Sequence, residues 1–191
     1  MEDTDVAHRP DALDVRWQTE RCPECAFDPE KYGPADVPAA VGGLGRRYRA
    51  PLERLLPGET PDILRARPLA GKWSALAYAC HVRDVLILFD GRIQRMLAEA
   101  NPDLGWWDHQ ATVEADAYDS QDPAEVADAL AANAAGLAAT LSGVPDNGWR
   151  RTGRRGAGQV FTVLGASRFI LHEGHHHLLD LGRVLRAARG R

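Results

Sequence analysis

From Trp73 to Ala100 the chain holds one helical apolar period with no proline inside it, opened by Ser74 as a capping residue and shut by Asn101-Pro102. A segment punctuated in that way is a long α-helix, and the rest of the fold has to pack around it. Three further segments carry the same period. Val37, Val41, Leu44, Tyr48, Leu52 and Leu55 recur at spacings of three and four, which predicts a helix from about Ala35 to Leu56. Gly42, Gly43, Gly45 and Pro51 weaken that helix, and Leu56-Pro57-Gly58 ends it. Asp122-Pro123 opens an alanine-rich helix with the stripe Val126, Leu130, Leu137 and Leu141, closed by Gly143-Val144-Pro145-Asp146. Thr162 opens the last one, which runs to about Ala188. No strand-like alternation longer than a few residues appears, and no repeat. The prediction is an all-α chain: a four-helix bundle over 35–191 with long connecting loops, and an irregular N-terminal arm over 1–34. Residues 103–122 read as a long loop with a helical turn, and 146–160 as a loop or short hairpin.

Composition narrows the function classes. The net charge of −4 and pI near 6.0 argue against a general nucleic-acid binder, which needs a concentrated positive face. No apolar run approaches a membrane span, and the acidic start Met1 to Asp5 is not a secretory signal. Cytoplasmic residence is the expectation. Lys31 and Lys72 are the only lysines; with the many alanines, that usage fits a high-GC genome. The three cysteines, Cys22, Cys25 and Cys80, do not suggest a disulfide framework.

Four of the seven histidines fall in His172-Glu173-Gly174-His175-His176-His177. At about 100° per residue, His172 and His176 lie roughly 40° apart, one turn from each other. His177 points away from them beside Glu173, and His175 sits on the shoulder of their arc. On the second helix His81 shares an arc with Ser74, Ala77, Val85 and Leu88 and faces the bundle interior. Burying three imidazoles costs polar desolvation, and a divalent ion supplies their missing partners. An i,i+4 pair with a third ligand from a facing helix is a three-protein-ligand site with an open position, the arrangement of catalytic zinc. Asp84 and Asp180, each near one turn from a ligand, are candidates to orient the rings, as is His175. The spacing His-Glu-x-x-His of zinc proteases is absent.

These residues resemble the DinB-like superfamily. The likeness lies in Lys72-Trp73-Ser74, in Cys80-His81-Val82-Arg83-Asp84, and in the run from Phe169 to Asp180, and it spans about 35–190. It implies a four-helix bundle with a metal held by one histidine on the second helix and an i,i+4 pair on the last, here His81, His172 and His176. It also implies, more loosely, a transferase or isomerase that uses a low-molecular-weight thiol, as the mycothiol-dependent maleylpyruvate isomerases and bacillithiol S-transferases do. The ion would be zinc or nickel, the thiol mycothiol by the high-GC composition, and the assembly a homodimer. A non-enzymatic metal-binding or small-molecule-binding bundle stays open as the alternative.

Other residues bear on such a pocket. Arg150, Arg151, Arg154 and Arg155 precede the last helix and suit the carboxylates of a thiol or acidic substrate. Trp106, Trp107, Asp108 and His109 offer an aromatic wall and a polar tip. Cys22-Pro-Glu-Cys25 has the spacing of half a zinc knuckle or a redox dithiol. Its other ligands are not apparent, and His8 or a partner subunit would have to supply them. The arm could also carry both thiols to the central metal. Cys80 reads as a packing residue.

Overall fold

A computed structural model describes residues 15–156 and 158–191. Helices α1 (Val37–Glu53), α2 (Ala75–Ala98), α4 (Pro123–Ser142) and α5 (Val163–Ala188) form the bundle, with a short α3 (His109–Ala115). Strands β1 (Thr152–Arg155) and β2 (Gln159–Thr162) lie between α4 and α5. Side-chain caps set the starts: Ser74 accepts from the Ala77 N–H, Asp108 from Ala111, Asp122 from Ala124 and Glu125, and Thr162 from Gly165. Pro51 is accommodated in the last turn of α1, where its ring breaks little of the ladder.

α1 packs on α4 and α5, and α2 packs on the same two helices. α1 therefore stands across the bundle from α2, and α4 from α5, while α2 and α4 are neighbours. The α1–α4 contact is tight because both faces are small. A Cβ added at Gly45 would lie 2.7 Å from the Ala131 Cα, so glycine there sets the approach. The α4 stripe Val126, Leu130, Leu137 and Leu141 is buried as its spacing required. None of the described helices is long and apolar enough to cross a membrane.

Both long connections are ordered, and of the two forms expected for 146–160 the hairpin is the one formed. Residues 103–122 hold α3 and a 3-10 turn at Tyr118–Ser120, fixed by the buried Tyr118 and by a bond from Trp107 Nε1 to Thr112 Oγ1 (2.9 Å). The glycine- and arginine-rich stretch is an antiparallel hairpin pairing Thr152 with Thr162 and Arg155 with Gln159. Arg151 reaches from it to the Met96 and Glu99 carbonyls (2.6 and 2.7 Å), closing the end of α2, where carbonyls lack helical partners.

Residues 15–34 lie along α5. Gln18 sits over Gly165, where a Cβ would meet its Oε1 at 2.0 Å, and donates to the Val160 carbonyl (3.2 Å). Phe27 is buried, and Arg168 of α5 donates to the Tyr32 carbonyl (2.9 Å). α5 is therefore covered on two sides, by α2 on one and by this arm on the other.

Candidate metal centre

Two ligand pairs stand side by side on α5, displaced by one residue and hence by about 100° around the helix. Glu173 and His177 face α2; His172 and His176 face the arm. Toward α2, His81 Nε2 lies 3.3 Å from Glu173 Oε2, and His177 Nε2 lies 3.3 Å from the same oxygen. The His81 and His177 rings meet edge-on at 4.8 Å. One donor atom from each of the three lies within 4.8 Å of the others. Trp107 stacks on His81 at 5.4 Å with a 6° interplanar angle, Trp73 packs at 5.2 Å, and His109 closes the side at 5.8 Å.

Toward the arm, donor atoms of Cys22, Cys25, His172 and His176 likewise lie within 4.8 Å of one another. Cys22 Sγ is 3.7 Å from His176 Nδ1, and Trp17 stacks on the His172 ring at 4.8 Å. Asp180 serves both sides: its Oδ2 lies 3.5 Å from His176 Nε2 and 3.4 Å from His177 Nδ1.

The expected triad is therefore divided among the described residues: His81 is in one group, His172 and His176 in the other. The helical projection identified a buried arc but joined it to the wrong neighbour. That arc also carries Gly165, which lies beneath Gln18 of the arm. Glu173 and His177 continue a three-and-four stripe with the buried Ala166, Ile170, Leu181 and Val184. Glu173 and His177, set aside as pointing sideways, are the residues that face His81. An acidic residue in an otherwise apolar three-and-four stripe was the signal for them.

The remaining candidates separate in the same way. Asp84 is bound by Arg83 (2.7 Å) and by the Tyr118 hydroxyl, away from the rings, so it does not orient them. His175 turns to Arg47 (2.7 Å) and packs on Phe27, in neither group. Arg150 and Arg154 are exposed. Arg151 serves α2, and Arg155 is buried with its guanidinium 5.0 Å from the Phe161 ring, near enough for its charge to act on Glu173 and His109. Trp107 and His109 do line it, and Cys80 is buried beside the Tyr118 carbonyl. His8 lies outside the described residues. A groove of about 860 Å³ between α1 and α4, lined chiefly by alanine and proline, is remote from the histidines.

Charge is concentrated around Glu173. Burial opposes its ionisation, but His172, His177 and His81 hold it well below the usual carboxylate range. Burial likewise opposes a charge on His177, yet Asp180 and Glu173 lift it to about 9. Burial lowers His81 to about 4 despite the nearby carboxylate. On the arm side, burial disfavours the Cys22 thiolate, but backbone N–H groups of the loop with His172 and His176 bring it to about 6. Burial and the neighbouring Cys22 raise Cys25 to about 11.

The residues fit metal ligation. His81 Nδ1, His177 Nδ1 and both ring nitrogens of His172 are buried without a hydrogen-bond partner. Buried polar atoms are rarely left so, and a cation is the partner that imidazole nitrogens, thiols and a carboxylate share.

The sequence matches the model of one family, the DinB superfamily, over residues 45–181. The chain belongs to the DinB superfamily. Among solved structures it is similar to YfiT from Bacillus subtilis, described as a probable metal-dependent hydrolase with an unusual four-helix bundle topology. The TM-score is 0.72 at 17% identity, over 80% of this chain and 86% of that one. Comparison with curated protein sequences returned no match. The four-helix bundle and the superfamily expected from the sequence are both established by these findings.

Proposed function

We propose that this DinB-superfamily protein is a divalent-metal-dependent enzyme whose catalytic ion is held by His81, Glu173 and His177. The observation that carries the reading is the buried group itself: three donors from two helices, within 4.8 Å of one another. Three protein ligands are the complement of an open catalytic site rather than a closed structural one. A divalent ion held there lowers the pKa of a thiol or a water, and ligands comprising one carboxylate and two neutral imidazoles leave it one further anionic donor short of neutrality.

The chain's own residues prepare that chemistry. Asp180, 3.4 Å from His177 Nδ1, sets the ring so that Nε2 faces Glu173. Stacking on Trp107 fixes the plane of His81. Trp73 and Trp107 exclude water from its flank, which strengthens electrostatic interactions inside. His109, its pKa lowered by burial, stands at the edge of the group as a neutral base able to take a proton from an incoming nucleophile.

The nucleophile that superfamily resemblance supports is a low-molecular-weight thiol such as mycothiol, attacking a small electrophile in a transferase or isomerase reaction. The description of YfiT as a probable hydrolase supports water as the second reading. Zinc suits the donor set best, and a homodimer acting on a small molecule fits both readings. Calorimetric titration of metal-loaded protein with mycothiol, bacillithiol and glutathione tests the first. Binding by wild type, lost in H81A and after chelation, is the expected result. Absence of metal-dependent thiol binding, with metal-dependent ester or amide hydrolysis present, would replace the transferase by a hydrolase.

A further inference from the structure

We propose that Cys22, Cys25, His172 and His176 form a second metal site, a closed Cys2His2 zinc site that fastens the N-terminal arm to α5. The ligand number distinguishes it from the first group. Four protein donors, two sulfur and two nitrogen, complete a tetrahedral zinc shell with no position left for substrate. Two thiolates and two neutral imidazoles also cancel the charge of a divalent ion, which suits a place where Cys22 and His172 are 1% and 3% exposed. Both donor halves are in place within 4.8 Å, although about 150 residues separate them in the chain.

The loop bearing the cysteines is built as a cradle for sulfur. The Cys22 N–H donates to the Phe27 carbonyl (2.9 Å), closing the turn, and Ala26 takes a left-handed conformation with φ of 59° to do so. Backbone groups of Glu24 and Cys25 favour the Cys22 thiolate, and the backbone of Phe27 favours that of Cys25. Backbone groups of this kind stabilise anionic ligands. A second observation points the same way from the helix. Both ring nitrogens of His172 are buried without a hydrogen-bond partner, which a coordinated ion would relieve. His176 presents Nδ1 to Cys22 while its Nε2 faces Asp180 at 3.5 Å, the carboxylate–histidine arrangement that orients metal-bound imidazoles.

The structural consequence is local. The described arm contains only 3-10 turns at Val15–Gln18 and Pro29–Lys31 and buries few side chains, so packing alone holds it weakly. A metal bound to arm and helix together supplies folding free energy to that segment. Loading releases the thiol protons and involves no redox step, and the inference is independent of the reaction assigned to the His81 group.

Cobalt(II) substitution of the full-length protein tests it. Thiolate ligation gives an intense sulfur-to-cobalt charge-transfer band that nitrogen and oxygen ligands do not give. Wild type and H81A are expected to show this band, C22S and C25S to lose it, and C80S to keep it. Zinc analysis should show one equivalent lost in C22S and retained in H81A. Limited proteolysis should then cut the arm of C22S before residue 35 while the bundle survives. The wild-type spectrum needs no variant to fold, and its lack of a charge-transfer band overturns the site. So does a Cys22–Cys25 disulfide in protein purified with reductant, or retention of all zinc in C22S. Should H81A lose no metal while C22S loses all of it, the arm site stands and the catalytic reading falls.

Discussion

Replacing Glu173 by glutamine is the most direct probe of the centre, because it keeps the side chain's shape and removes only its charge. In the metal-free protein three histidines converge on this carboxylate, with His81 and His177 nitrogens both 3.3 Å away. His177 is held at about 9 against an ordinary value of 6.5. A histidine raised in the folded state contributes stability that is fully present below its unfolded pKa and lost as pH rises through the folded one. Metal-free wild type should therefore lose stability between pH 6.5 and about 9. The elevation corresponds to about 3 kcal/mol at most. Asp180 remains 3.4 Å from the same ring, so the substitution should remove roughly half of it, about 1–2 kcal/mol. In a domain of this size that is a fall in Tm of roughly 2–8 °C below neutral pH. Differential scanning fluorimetry in chelator, stepped across the window, measures it: wild type should slope downward and E173Q should run flatter from a lower start. Equal slopes, or a His177 that still titrates near 9 by NMR in E173Q, would refute the assignment of Glu173 as the hub.

Other outcomes follow from the same structure. Gly45→Ala should destabilise by about 1–2 kcal/mol, because a Cβ 2.7 Å from the Ala131 backbone overrides the helix-propensity gain. Gly43→Ala, with nothing within 4 Å, should stabilise by about 1 kcal/mol; thermal melts in which both variants rise would refute the close approach of α1 and α4. Ser74→Ala should cost about 1 kcal/mol through loss of the bond from the Ala77 N–H, read as a lower urea midpoint, with an unchanged midpoint showing that the cap is dispensable. Trp107→Leu should weaken zinc binding at the His81 group by roughly tenfold by freeing the ring it stacks on, measured by competition with a chelating dye, and unaltered affinity would show that stacking does not orient His81.

The bundle was legible because helix starts and stops are local. Ser74, Asp122 and Thr162 each announce a helix by their own side chain, and Pro102 ends one by lacking a donor. α3 and the hairpin were harder to read, since their order comes from distant partners: buried Tyr118 for the one, the carbonyls at the end of α2 for the other. The site was half legible. His81 faced inward as its arc required, and the helix with the histidine run was the right one. Which of its two ligand pairs meets α2 depends on a rotation of about 100°, and one amphipathic pattern cannot decide that when the arm buries the second face. The spacing of Cys22 and Cys25 was equally plain, but their neighbours on α5 lie so far along the chain that no local pattern connects them.

Asp180 turns these two neighbourhoods into one thermodynamic system. A single oxygen, Oδ2, stands 3.5 Å from a ring nitrogen of His176 and 3.4 Å from one of His177, so any event that changes the charge of one ring alters the field at the other. Affinities measured at either side are then properties of the pair, and the coupling is reciprocal: whatever the arm does to the pocket, a ligand in the pocket does to the arm. Detaching residues 15–34 from α5 would in this way retune His177 without touching it.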